Sequence, residues 1–142
     1  MSNCAIILAG GEGKRMKSNL PKPMSEVLGK PMLRWVIDSV KSAGVDDICV
    51  VKGYKKECID EFVSSLPFEV ETVYQAERLG TGHAVMMAKD FLEKHSGNVV
   101  ILNGDAPFMD AKTISDALAL HTEKGSVATV ISAKVSDPTG YG

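Results

Sequence analysis

The 142-residue sequence predicts an α/β protein with a Rossmann-like, doubly wound and mostly parallel sheet. Three observations carry this expectation. Apolar, strand-like runs alternate with helix-period stripes, and little linker separates them. The first run, Cys4-Ala5-Ile6-Ile7-Leu8, feeds into Gly10, Gly11 and Gly13, three glycines within four residues. Cations follow at once: from Glu12 to Arg34 there are six basic residues (Lys14, Arg15, Lys17, Lys22, Lys30, Arg34) against the acids Glu12 and Glu26. A buried strand that ends in bare backbone and then in positive charge is suited to a phosphate-rich ligand, because glycine lets main-chain N–H groups approach an anion closely.

Taken in order, the chain reads as follows. Pro31 stands where a helix can begin, since its missing N–H costs nothing there. Leu33, Val36, Ile37 and Val40 then fall at i, i+3, i+4 and i+7, and Ala43-Gly44 ends the helix. Ile48-Cys49-Val50-Val51 is a buried strand. Ile59, Phe62, Val63 and Leu66 form a second helical stripe, which Pro67 stops. Residues 70–74 alternate in polarity, the pattern of a partly exposed strand near a sheet edge. Ala84, Met87, Ala88 and Phe91 mark one further helix, and Val99-Val100-Ile101-Leu102 a fully apolar strand. Ile114, Ala117, Leu118 and His121 mark a last helix, with Asp110 placed to cap it. Residues 127–133 read as a final strand. The turn-rich end, Asp137 to Gly142, follows that strand with no closing helix, so the chain reads as a piece cut short.

Size and 44% hydrophobic content suit one domain with one core. The formal charge of −2 gives no reason to expect nucleic acid or a membrane surface as partner, and the local cationic segment points to a small anionic ligand. Cys4, Cys49 and Cys58 show no paired spacing; the first two sit in apolar runs and read as small buried hydrophobes, which fits a reducing compartment. No apolar run approaches membrane-spanning length and no leader is evident, so a cytoplasmic protein is expected.

Two common phosphate motifs fail. Gly13-Lys14 is followed by Arg15 and has Leu8 five residues before it, so a Walker A loop is absent. Gly11-Glu12-Gly13-Lys14-Arg15-Met16 lacks the third glycine of a dinucleotide fingerprint. Pro21 and Pro23 exclude a regular helix through the basic stretch.

Four segments, in order, resemble another family. Leu8-Ala9-Gly10-Gly11-x-Gly13-x-Arg15-Met16 with Pro21-Lys22 resembles the signature of the nucleotide-sugar pyrophosphorylases, the sugar-1-phosphate nucleotidylyltransferases. Gln75-Ala76-Glu77-Arg78-Leu79-Gly80-Thr81-Gly82-His83-Ala84, Gly104-Asp105-x-Pro107 and Gly140-Tyr141-Gly142 resemble later segments of the same family, nearest to its bacterial N-acetylglucosamine-1-phosphate uridylyltransferases. The chain departs from that pattern at Lys14, Asn103, Gly10 and Ser25, where those enzymes usually or often carry Thr, Tyr, Ala and His. The resemblance implies a glycosyltransferase-A-like nucleotidyltransferase fold, of which residues 1–142 are the N-terminal, nucleotide-binding part. The rest of the catalytic domain and any acetyltransferase domain would lie outside the chain. It implies UTP and a sugar 1-phosphate as substrates and Mg²⁺ as cofactor, and it leaves a homo-oligomer open for the longer protein.

The chemistry matches the residue types. Substitution at the α-phosphorus by an already ionised phosphate needs no general base; positioning and charge neutralisation suffice. Arg15 can fork two phosphate oxygens and Lys22 supplies a point charge, so these are the candidate catalytic cations; the alternative is ordinary surface charge. Asp105, at the carboxyl end of the most apolar strand, is either a Mg²⁺ ligand or a turn-forming Asp before Pro107. Gln75 offers a donor and an acceptor, as uracil O4 and N3–H require. By resemblance the backbone of Leu8, Ala9, Gly10 and Gly11, with Gly13, Asn103 and Gly104, lies along the nucleotide. Gly80 and Thr81 complete the base pocket, and Gly140 meets the sugar. Thr81 is equally a candidate N-cap. His83 is read as structural, because the reaction needs no base. The fragment itself is expected to have little activity. The rival readings are a related enzyme for another sugar phosphate or base, and a nucleotide-binding module that does not catalyse.

Overall fold

The computed structural model describes residues 2–13 and 19–140. β1 (Cys4–Ala9) is central, and an all-apolar strand in that place needs cover on both faces. It has that cover: Cys4, Ala5, Ile6, Ile7 and Ala9 are fully buried. The main sheet also contains β4 (Asp47–Lys52), β5 (Glu71–Tyr74) and β6 (Val99–Asn103). All pairings are parallel, in the order β5-β4-β1-β6. Cys4 to Ala9 face Asp47 to Lys52 on one side, and Cys4 to Leu8 face Val99 to Asn103 on the other. The edge position expected for the alternating strand is the one β5 occupies.

Helices lie on both faces. α1 (Met32–Ser42) starts directly after Pro31 and buries Leu33, Val36, Ile37 and Val40, the stripe read from the sequence. It packs with α2 (Lys56–Ser64), through Ile59, and α5 (Ala111–Lys124), through Ile114, against Ala5, Ile7, Val50 and Leu102. Asp110 caps α5 by accepting a hydrogen bond from the Thr113 N–H at 2.7 Å. On the opposite face, Ala84, Ala88 and Phe91 cover Cys4, Ile6, Cys49 and Val51. All three cysteines are free thiols, and burial pushes Cys4 up and Cys49 up to about 12.

Four details differ from the sequence expectations. The stripe 84–91 is two helices, α3 (Thr81–Met87) and α4 (Lys89–Leu92), meeting at Ala88 (φ −90°, ψ 18°). No Gly or Pro marks that junction, so periodicity alone joins the halves. β6 is covered on one face only: Leu102 is buried, but Val99 and Ile101 stay 41% and 50% exposed, because α3 and α4 lie over β1 and β4. No strand forms over 127–133. Val127 and Val130 there are exposed and line an open groove of about 710 Å³ with β6 and α5. β-branched composition reports fitness for a packed, half-buried surface, and without ladder partners it does not make a strand. Finally, β2 (Glu26–Val27) and β3 (Lys30–Pro31) form an unanticipated antiparallel hairpin. Its two central residues, Leu28 (φ 52°) and Gly29 (φ 74°), both take positive φ. Leucine is an unusual residue for such a turn, so the usual Asn-Gly or Asp-Gly signal is missing.

Candidate functional site

In a parallel sheet the ligand crevice lies beyond the carboxyl ends of the strands, where the strand order reverses. Here the chain runs from β1 out through β4 to β5 and returns to the other side of β1 as β6, so the reversal falls between β1 and β6. A pocket of about 300 Å³ opens at that point. Leu8, Gly10 and Gly11 come to it from the end of β1, Asn103 and Asp105 from the end of β6, and Gln75, Gly80 and Thr81 from beyond β5; Lys22 closes it.

Two corners of the pocket differ chemically. The first is cationic and anionic at once. Lys22 begins a single 3-10 turn, Lys22–Met24, held by Met24 N–H to Pro21 O (2.8 Å) and Ser25 N–H to Lys22 O (3.1 Å). Pro21 and Pro23 are buried and anchor it. The Lys22 Nζ reaches Asp105 Oδ2 at 2.7 Å. Gly13 makes this approach feasible: at φ 63°, a Cβ on it would stand 2.7 Å from Lys22 Cβ. The glycine-rich loop therefore packs against the turn that carries the lysine. Behind the corner, the Gly104 N–H donates to Leu8 O at 2.8 Å, tying the end of β6 to the end of β1.

The second corner is polar and neutral. Gln75, directly after β5, is the buried polar residue among the described residues, at 6% exposure. Its backbone N–H donates to Lys52 O (2.9 Å), and its Nε2 lies 3.1 Å from Gly80 O and 3.0 Å from His83 Nδ1. Both amide N–H groups are thus engaged inside the protein. The oxygen lies against Gly10, 3.3 Å from where a Cβ there would stand, and is the part left for a ligand. Gly80 is the N-cap of α3 (φ 105°), and no side chain caps that helix. Thr81 is therefore the first helical residue, not the cap that the sequence left open, and its side chain is free to face the pocket it lines.

Of the remaining sequence candidates, Ala9 is buried under α1, and Gly13 and Gly104 lie behind the pocket wall rather than on it. Gly140 follows Thr139, whose N–H donates to Asp137, and is not among the residues that line the pocket. Arg15 and Lys14 lie outside the described residues. The sequence reading gave no role to Arg78, whose guanidinium donates to Glu12 at 3.0 Å and bridges the glycine loop to the segment before α3 at the pocket's wall. The signal was a base three residues beyond Gln75. Pro23 was named only as a helix breaker, yet its ring also lines the pocket.

The strand ends, glycine loop and polar corner form a crevice suited to a nucleotide, and the family is shown by comparison: the chain belongs to the Nucleotidyl transferase family, whose model matches residues 4–142. It is 45% identical over 138 residues to the "Bifunctional protein GlmU" of Acetivibrio thermocellus, covering 97% of this chain and 29% of that protein. It is 46% identical over 142 residues to the protein of the same name from Clostridium beijerinckii, covering 100% of this chain and 31% of that protein. Among solved structures, the CTP:phosphocholine cytidylyltransferase of Streptococcus pneumoniae (LicC) is similar, with a TM-score of 0.62 at 27% identity over 74% of this chain and 46% of that one. The chain thus spans under a third of the length of these GlmU relatives.

Among the described residues no cluster of three or more His, Cys, Asp or Glu side chains could enclose a metal ion. Asp105 offers one hard carboxylate at the pocket, one-third exposed and already beside a cation. A single carboxylate fits Mg²⁺, which keeps waters and takes its other ligands from substrate phosphates, and does not fit an all-protein cage.

Proposed function

We propose that this chain is the nucleotide-holding part of a uridylyltransferase that condenses UTP with N-acetylglucosamine 1-phosphate to UDP-N-acetylglucosamine and pyrophosphate. The observation that carries the proposal is the juxtaposition, in one pocket, of a neutral corner at Gln75 and a charged corner at Lys22 and Asp105. The first suits a base and the second a triphosphate. The likeness to the two GlmU proteins supports a sugar-phosphate nucleotidyltransferase, and the choice of nucleotide and sugar rests on the resemblance of the sequence motifs.

A phosphate oxygen of the sugar phosphate attacks the α-phosphorus in line. The bond from that phosphorus to the β-phosphate's bridging oxygen breaks, and pyrophosphate leaves with the electron pair. Lys22, with Arg15 supplied by the glycine-rich loop, neutralises the charge that grows on the phosphate oxygens. Asp105 would hold a Mg²⁺ ion, which supplies charge neutralisation and a fixed phosphate geometry when bound. Lys22 pairs with Oδ2 of Asp105, so the metal would be taken at Oδ1, or at both oxygens once the lysine turns to the phosphates. Gln75, Gly80 and Thr81 hold the base, and Asn103 stands beside the nucleotide, with Gly104 backing it by its N–H bond to Leu8 O. Gly140 is assigned to the sugar by sequence resemblance alone.

Thermal-shift measurements with UTP, CTP, GTP and dTTP in Mg²⁺ test the reading. UTP is expected to stabilise the chain most, and equal indifference to all four would sink it. Asp105→Asn is expected to remove the Mg²⁺-dependent part of the shift; an unchanged dependence would show that the metal ligand is elsewhere. The similarity to a CTP-named cytidylyltransferase favours one second reading, in which the same site takes another pyrimidine nucleotide. A larger shift with CTP than with UTP would select it.

A further inference from the structure

We propose that His83 is the positioning residue for base selection: by accepting a hydrogen bond at Nδ1 it locks the Gln75 amide with its oxygen toward the pocket. The inference rests on the reading above that Gln75 meets a nucleobase. It gives a function to a side chain that the phosphoryl-transfer chemistry leaves unused.

The orientation follows from what each partner can do. Gly80 O can only accept, so the atom 3.1 Å from it must be the amide nitrogen of Gln75 and not its oxygen. That carbonyl is itself held, because it also accepts the first α3 bond, from Ala84 N–H at 3.1 Å. The second N–H of the amide then points at His83 Nδ1, 3.0 Å away. An N–H facing a ring nitrogen requires a lone pair there, which puts the imidazole proton on Nε2. Helical side chains lean toward the N-terminus of their helix, which lets a residue near the start of α3 reach back to the end of β5.

With both donors consumed, Gln75 presents an acceptor only. A base with a ring N–H on its pairing edge, as uracil has at N3, complements it. Cytosine places a lone pair at the same position and is repelled. Gly80 alone holds one amide hydrogen; His83 prevents the amide from turning over to offer its nitrogen to cytosine. Because Gln75 is 6% exposed, loss of the His83 acceptor leaves a buried N–H without a partner and leaves Gly80 O alone to oppose a flip, so the amide is held in this orientation less strongly.

Calorimetric titration of the 142-residue chain and of two variants with UTP and CTP tests this. His83→Leu removes the acceptor and is expected to cut the UTP-over-CTP affinity ratio by about tenfold. His83→Asn, whose Oδ1 can replace Nδ1, is expected to retain most of the ratio. A merely structural role would weaken both nucleotides alike and leave the ratio untouched. An unchanged ratio in His83→Leu, or an equal loss in the two variants, overturns the proposal. Long-range ¹H–¹⁵N spectra of the unaltered chain in mildly alkaline buffer add a test that needs no variant: the His83 proton is expected on Nε2, and a proton on Nδ1 overturns the inference. Failure of the unaltered chain to bind either nucleotide would instead bring down the site reading, and the inference with it.

Discussion

Gly53 supports the pocket wall without belonging to it, and Gly53→Ala measures how tightly the strand ends are packed. Gly53 follows β4 and is buried beside Gly10, which follows β1. A Cβ on Gly53 would stand 2.9 Å from both Gly10 Cα and Gly10 O. Carbon pairs rest at about 3.5–4.0 Å, so the overlap with Gly10 Cα is roughly 0.6–1.1 Å. The opposing atoms are backbone, which cannot rotate out of the way as a side-chain tip would. The two strand ends must therefore separate, straining the Tyr54 N–H bond to Gly10 O, now 3.3 Å. Overpacking of this kind costs about 1–3 kcal/mol. Urea denaturation should show that loss of unfolding free energy as a lower midpoint at unchanged slope, and UTP binding should weaken because Gly10 backs the Gln75 oxygen. Gly11→Ala is the control. No described atom lies within 4 Å of its added Cβ, so its stability should change by no more than about 0.5 kcal/mol, with any effect confined to nucleotide binding. Equal stability of Gly53→Ala and the parent chain would refute the argument that close backbone approach builds this wall.

Further outcomes follow from the packing and the charges. Leu33→Ala, at a fully buried position whose Cδ1 lies behind Gly104, should cost about 2–5 kcal/mol in the same denaturation assay. Burial alone would raise the Asp38 carboxyl, but hydrogen bonds from Lys30 (2.8 Å) and Arg34 (2.7 Å) outweigh it and hold it below its ordinary value of 3.8. A depressed carboxyl contributes stability above its unfolded value and loses it as pH falls through the folded one. The parent chain should therefore lose stability more steeply than Asp38→Asn below about pH 4, as melting temperatures across an acid series would show. Under native conditions a thiol-alkylating reagent should label Cys58, which is partly exposed, well before Cys4 and Cys49, which are buried with raised thiols. Peptide mass spectrometry reads this directly, and early labelling of Cys49 would contradict its burial.

The architecture was legible in the sequence wherever local pattern and tertiary environment agree. An all-apolar strand such as β1 has only a central place to go, and the stripes at 33–40 and 114–121 each declare one buried face. Asp110 announced its helix by its own chemistry. The site was legible as a set of segments because glycines, cations and a lone carboxylate fall directly after strands, which in a parallel sheet means on one edge. What the sequence could not carry were quantities that exist only between segments. Periodicity could not tell that α3 and α4 break at Ala88, and composition could not tell that residues 127–133 would find no ladder. Nor could it show that Lys22 closes on Asp105, that Arg78 reaches Glu12, or that Gly53 stands against Gly10. Gln75 shows the division most clearly. The sequence alone determined that an amide stands at the end of a strand, with a donor and an acceptor to offer. Only the tertiary structure decided which half remains for a ligand, because Gly80 O and His83 Nδ1 take both hydrogens across a gap that no sequence spacing encodes.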